Sequence, residues 1–202
     1  APASNRAAPG CVSLQSSCRR LARAVCCCPL KHPNHLKKPQ DRVDLIVSEL
    51  ALSDKYQRED GTIFLTGVEA IVRLLLDKQR ADRDAGRPIN QSYVTGYEGS
   101  PLGGLDLRII QQLDVLNQLG RTVHQSGINE KTAASAMLGS QYAPSGDVDA
   151  FWYGKAHGTM WIPDEAWLAN LTGTSRAGSM VLLCGEDHRS KSSVSPGTSD
   201  WA

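Results

Sequence analysis

The chain has no apolar run approaching the ~18 residues needed to cross a bilayer, so no segment of it reads as a transmembrane helix. Cysteine is almost absent from the body: Cys11, Cys18, Cys26, Cys27 and Cys28 all lie near the start, and Cys184 stands alone. A disulfide scaffold spreads its cysteines through the fold, so the body is expected to be reduced and intracellular. The adjacent Cys26-Cys27-Cys28 run lacks the spacing of iron–sulfur ligands. Acid is missing from residues 1–40, which hold Arg6, Arg19, Arg20, Arg23, Lys31, Lys37 and Lys38. The rest then carries 15 bases against 21 acids. An acidic body argues against a nucleic-acid-binding domain, which needs a basic footprint. Several motifs are missing as well. No Gly-Lys-Ser/Thr marks a phosphate loop, no G-x-G-x-x-G marks a dinucleotide site, and no G-x-S-x-G marks a hydrolase elbow. Cys184, Asp187 and His188 have no second ligand pair at zinc-like spacing.

What is present fits an α/β protein. With 202 residues, 41% hydrophobic, and 18 glycines, the chain has room for one domain with a real core. Residues 1–45 read as a basic leader of low order, with the composition of a transit peptide or of an extension foreign to the mature protein. Residues 46–202 read as the domain. Val68, Ile71, Val72, Leu75 and Leu76 recur at helical spacing, and Gly86 is a natural stop. Gln91–Thr95 reads as a strand ending in the glycine-rich turn Gly96–Gly104. A helix follows with Ile109, Leu113 and Leu116 on one face, running to Gly120, and then a strand at Thr122–His124. Asn129 can cap a helix reaching about Gly139. Val148–Tyr153 and Ser179–Cys184 are further strands, separated by a short helix near Pro163–Leu171. Such alternation predicts a doubly wound, mainly parallel sheet with helices on both faces, and ligands beyond the carboxyl ends of its strands.

Four segments can carry chemistry there. Gly96–Gly104 allows close backbone approach to a ligand, and its Gly103-Gly104 pair opens a helix, although a tight strand-to-helix connection looks the same. Glu130, in Gly127-Ile128-Asn129-Glu130, is either a site carboxylate or simple dipole compensation. Lys155 ends Trp152-Tyr153-Gly154-Lys155 and can bind a carboxylate or sit in solvent. The last segment is Gly185-Glu186-Asp187-His188 with Lys191-Ser192-Ser193.

Taken in order, these segments resemble one family. The run from Gly61 to Leu74, then Val94-Thr95-Gly96-Tyr97, Gly99-Ser100-Pro101-Leu102-Gly103-Gly104, Gly127–Glu130, Trp152–Lys155, Gly173-Thr174-Ser175, Asp187-His188 and Lys191–Ser193 are similar to the amino-terminal part of the indolepyruvate ferredoxin oxidoreductases. The resemblance spans roughly Asp54 to Ser193. It implies the pyrimidine-binding domain of a thiamine-diphosphate-dependent 2-oxoacid:ferredoxin oxidoreductase, incomplete at its carboxyl end. Such an enzyme is an oxidoreductase acting on an oxo group. It converts an aryl-pyruvate such as indolepyruvate to its acyl-CoA, with coenzyme A and ferredoxin as partners.

The resemblance makes Glu130 the glutamate that hydrogen-bonds the aminopyrimidine ring nitrogen. It places Tyr97 and Gly99 beside the cofactor, and Ser100, Pro101, Lys155 and His188 beside the substrate. Mg²⁺ and iron–sulfur clusters would come from parts outside this chain, since no Gly-Asp-Gly…Asn motif occurs and Gly146-Asp147-Val148-Asp149 is not one. The implied assembly is a cytoplasmic homo-oligomer with the enzyme's remaining domains or subunits, touching neither nucleic acid nor membrane. A mitochondrial location would follow only if the leader is a genuine transit peptide. Two departures stand out: Glu98 replaces a frequent arginine in the substrate loop, and Ala156-His157-Gly158-Thr159-Met160 replaces a loop richer in glycine and proline. A non-catalytic scaffold relative, or a small α/β domain for a phosphorylated ligand, are the alternatives.

Overall fold

The computed structural model describes residues 51–99, 102–143, 146–191 and 195–199. The leader, residues 1–45, and Ser100 and Pro101, expected beside the substrate, lie outside the described residues. Leu50–Ala202 forms a compact unit of its own. Along it run α1 (Asp54–Gln57), α2 (Gly67–Asp84), β1 (Gln91–Gly96), α3 (Leu105–Gln111), α4 (Leu113–Leu116) and β2 (Thr122–Ser126). They are followed by α5 (Glu130–Ser140), β3 (Val148–Lys155), α6 (Ala156–Thr159), α7 (Pro163–Thr172) and β4 (Ser179–Gly185).

The two longest helices begin where the sequence supplies a cap. The Thr66 side chain accepts from the Glu69 amide, while the Glu69 carboxylate accepts from the Thr66 amide, closing a capping box at the start of α2. Asn129 and Thr132 do the same for α5. Helix α2 ends before Gly86, whose φ of +64° suits glycine. The helix expected from Asp106 to Gly120 is instead two short ones, broken at Gln112, which leaves helical geometry at φ −109° and ψ 9°. No glycine or proline stands at the break, so spacing alone does not reveal it. All four strands run past their expected ends, β1 to Gly96, β2 to Ser126, β3 to Lys155 and β4 to Gly185.

The four strands are all parallel, in the order β2-β1-β3-β4. Alternate residues of β3 point to opposite faces and build two separate cores. Phe151 and Tyr153 join Val94, Val72, Leu75, Leu76, Leu105, Ile109 and Leu116 under α2, α3 and α4. Val148, Ala150 and Trp152 join Ala133, Ala134, Met137 and Ile162 under α5 and the start of α7. The fold is therefore α/β, with helices on both faces. Every residue of β3 from Val148 to Gly154 is buried, as expected of a central strand covered on both sides.

The winding locates the site. From β1 the chain moves outward to β2, then crosses back over β1 to β3 and continues to β4. The connections leaving β1 and β3 therefore diverge, and the crevice between them is the topological switch point of the sheet. Among the described residues no helix is long and apolar enough to cross a membrane.

Candidate functional site

The loop after β1 continues the sheet before it turns away. The Tyr97 amide donates to Tyr153 O at 3.1 Å, and the Gly127 amide donates to Gly96 O at 2.8 Å. The loops that leave β1, β2 and β3 thus meet at one end. Gly99 lies against the aliphatic stem of Lys155: a Cβ at Gly99 would stand 3.7 Å from Lys155 Cδ. This contact bridges the loops of β1 and β3 at the switch point. Tyr97 is exposed, and the Lys155 ammonium, half-buried, has no hydrogen bond or ion pair among the described residues.

Glu130 enters from the face that α5 covers. Trp152, fully buried, donates its indole N–H to the Glu130 carbonyl at 3.1 Å, which fixes the first turn of α5 to the central strand. The half-buried Glu130 side chain then folds over Gly158 in α6. A Cβ on Gly158 would meet Glu130 Cγ at 2.6 Å and Oε1 at 2.9 Å, so only glycine leaves room for this rotamer. The carboxylate has no hydrogen bond or ion pair among the described residues. Its oxygens are not sealed from water, and they are open to a ligand donor at this end of the sheet.

The opposite face holds a cluster with no signal in the sequence periodicity. Tyr153 extends from β3 across Gly96 of β1 to reach His124 of β2, with the phenol 3.0 Å from His124 Nε2 and the rings stacked at 5.9 Å. Gly96 makes the crossing possible, because a Cβ there would lie 2.6 Å from Tyr153 Cγ and 2.2 Å from its carbonyl oxygen. Burial lowers the His124 pKa from its ordinary 6.5, against the opposing pull of Asp106 and Glu98. Burial likewise raises that of Tyr153, which a Ser126 hydrogen bond partly offsets. Ser126 Oγ also donates to Glu98 Oε1 at 2.9 Å, so the departing acid of the glycine-rich loop is held back onto β2. A glycine at the end of a strand beside two aromatic partners was the available clue, and it becomes readable only once the strand order is known.

His188 lies apart from these groups. It follows β4, one of the two edge strands, and its exposed ring pairs with Glu186 at 3.0 Å. Glu186 also accepts from the Ser199 amide and hydroxyl, and these bonds, with His188 beside it, hold its pKa below the ordinary carboxylate range. Asp187 turns inward, accepting from the Lys191 amide at 2.9 Å and pairing through its backbone with Gly197. His157 lies within 2.9 Å of Ser195 Oγ. Among the described residues no three histidines, cysteines or acids gather as a metal site. Tyr97, Gly99, Lys155 and Glu130 therefore share the carboxyl end of β1, β2 and β3, and His188 stands at its margin.

No family model matches this chain, and no curated protein or solved structure matches it either.

Proposed function

We propose that this chain is the pyrimidine-binding part of a thiamine-diphosphate-dependent 2-oxoacid:ferredoxin oxidoreductase that acts on an aryl-pyruvate such as indolepyruvate. The observation that carries the reading is the unpartnered Glu130 carboxylate, folded over Gly158 at the ligand-binding end of a parallel sheet. It is joined by the family-like order of motifs along the chain. When bound, thiamine diphosphate supplies the carbon nucleophile that adds to the substrate's keto group and takes up the electrons left by decarboxylation. Glu130 would hold the aminopyrimidine ring nitrogen through a shared proton, and Trp152 keeps the first turn of α5 from swinging away. Lys155 offers a charge to the substrate carboxylate across the Gly99 backbone. Mg²⁺, the iron–sulfur clusters and the coenzyme A and ferredoxin sites belong to other parts of the enzyme.

A second reading, a non-catalytic relative, is favoured by Glu98, which adds a negative charge to the loop facing a carboxylate substrate. One experiment separates them. The complete enzyme should bind thiamine diphosphate and reduce a one-electron acceptor when given indolepyruvate and coenzyme A. Glu130→Gln should lower turnover by about 10²–10⁴-fold while leaving the circular dichroism spectrum unchanged. Full activity in that variant removes Glu130 from the chemistry, and a wild-type protein without turnover favours the non-catalytic relative.

A further inference from the structure

A second concave site lies elsewhere on the molecule, and it shares no residue with the carboxyl end of the sheet. It is a cavity of about 420 Å³ between α1, the start of α2, and the α3–α4 pair. That volume falls in the range of small-molecule sites. Leu52, Val115 and the ring of Tyr56 give it apolar walls.

Its polar groups are mostly donors without partners. Arg108 lies on α3 and Gln112 at the break that follows it, and both line the cavity. Neither side chain has a hydrogen bond or ion pair among the described residues. The body of Tyr56 is buried, while its hydroxyl opens on the cavity and has no hydrogen-bond partner among the described residues. Burial raises the pKa of that phenol, with Glu69 adding to the effect and Arg108 opposing it. Lys55 Nζ spends one N–H on Glu69 at 2.7 Å and keeps others for the cavity. Glu69 is fully engaged, accepting from Lys55, the Thr66 amide and the Thr66 hydroxyl. The Lys55–Glu69 pair is neutral overall, leaving Arg108 as one uncompensated positive charge.

We propose that this cavity binds a small monocarboxylate with an apolar or aromatic body. The carboxylate would take the Arg108 guanidinium and the Tyr56 hydroxyl, and the body would pack on Leu52, Val115 and the Tyr56 ring. One net charge matches a carboxylate better than a phosphate dianion, and the apolar walls favour an organic anion over an inorganic one.

The test is calorimetric titration of the full chain with phenylacetate, 4-methylpentanoate and inorganic phosphate. Saturable uptake of one equivalent of an organic carboxylate is expected, tighter than phosphate. Arg108→Gln should weaken it about tenfold, the loss of one charge-assisted hydrogen bond. Tyr56→Phe should weaken it less, and Lys131→Gln, the same charge change on α5, should leave it unaltered. Arg108 is on the surface, so its variant should fold. Absence of saturable binding, a preference for phosphate, or equal losses in the Arg108 and Lys131 variants would each overturn the proposal.

Discussion

At the amino end of the sheet, Lys78 reaches Asp149 and Asp82 at 2.5 Å each, Ser179 Oγ donates to Asp149 at 2.6 Å, and Arg87 closes on Asp82 at 2.7 Å. At the carboxyl end, Glu130 and Lys155 reach no partner among the described residues. The two ends belong to the same strands and differ in what their polar groups are for. Burying Lys78 alone would lower its pKa, but the hydrogen bonds it donates to Asp149 and Asp82 outweigh that and raise it. Burial would raise that of Asp82, and Lys78 and Arg87 reverse it. Charge is therefore tolerated at the amino end because each group is matched. Unmatched charge at the other end stabilises nothing in the fold, and is what a ligand can use.

Removing a matched group should cost most. Asp149→Ala takes away partners of Lys78 and Ser179 together, and a stability loss of about 2–3 kcal/mol is expected, the scale of a hydrogen bond to a charged group. Urea unfolding measures it, with an unchanged slope showing that compactness is preserved. A loss as small as that of Glu130→Gln would erase the distinction between the two ends.

Gly158→Ala comes next. Its new Cβ meets the flexible end of Glu130, not backbone, so the side chain can swing aside. An overpacking cost of about 1–2 kcal/mol is expected, with the carboxylate displaced from its place over α6. A crystal structure of the variant with Glu130 unmoved would mean that Gly158 does not set its position.

Parts of this were readable from the chain alone. The spacing of Val68, Ile71, Val72, Leu75 and Leu76 identified a helix face, and Asn129 announced a capped one, because both signals are local. The parallel order followed from alternation of strands and helices. Other features depend on contacts across the fold. Arg73 and Arg80 belong to the polar pattern of α2, yet they are buried, because their guanidinium groups cap the carbonyls of Lys55, Arg58 and Tyr56 around α1. Tyr153 reaches His124 only because β1 lies between β3 and β2 and presents Gly96 at that level. Glu130 was singled out by motif order, but its lack of partners could be known only from the packing of Trp152 and Gly158.

The capping box of α2 gives a pH-dependent contrast between paired and unpaired carboxylates. Lys55 and the Thr66 amide hold Glu69 at a pKa of about 2, below its ordinary 4.5. A carboxyl with a depressed folded pKa contributes stability that is present above about 4.5 and lost as the pH falls toward about 2. Glu69→Gln should flatten the stability profile over that window. Thr66→Ala should cost about 1 kcal/mol at neutral pH, as a lost helix cap. Chemical denaturation between pH 2 and 6 checks both, and an unaltered profile in Glu69→Gln would show that other acids carry the dependence.

The smallest effect on stability is expected at Lys155, and it bears most directly on the unmatched end. Its ammonium gives up no ion pair when removed, and its stem merely lies along Gly99. Lys155→Met keeps the stem and deletes the charge, so stability should change by no more than about 0.5 kcal/mol. If the charge serves a 2-oxoacid carboxylate, the complete enzyme carrying this variant should show a raised KM with a smaller change in kcat. Lys155→Arg should restore part of the loss, since the guanidinium also reaches a carboxylate. A variant that loses 2 kcal/mol or more and keeps its KM would instead class Lys155 with Lys78, as a charge whose work is to hold the sheet together.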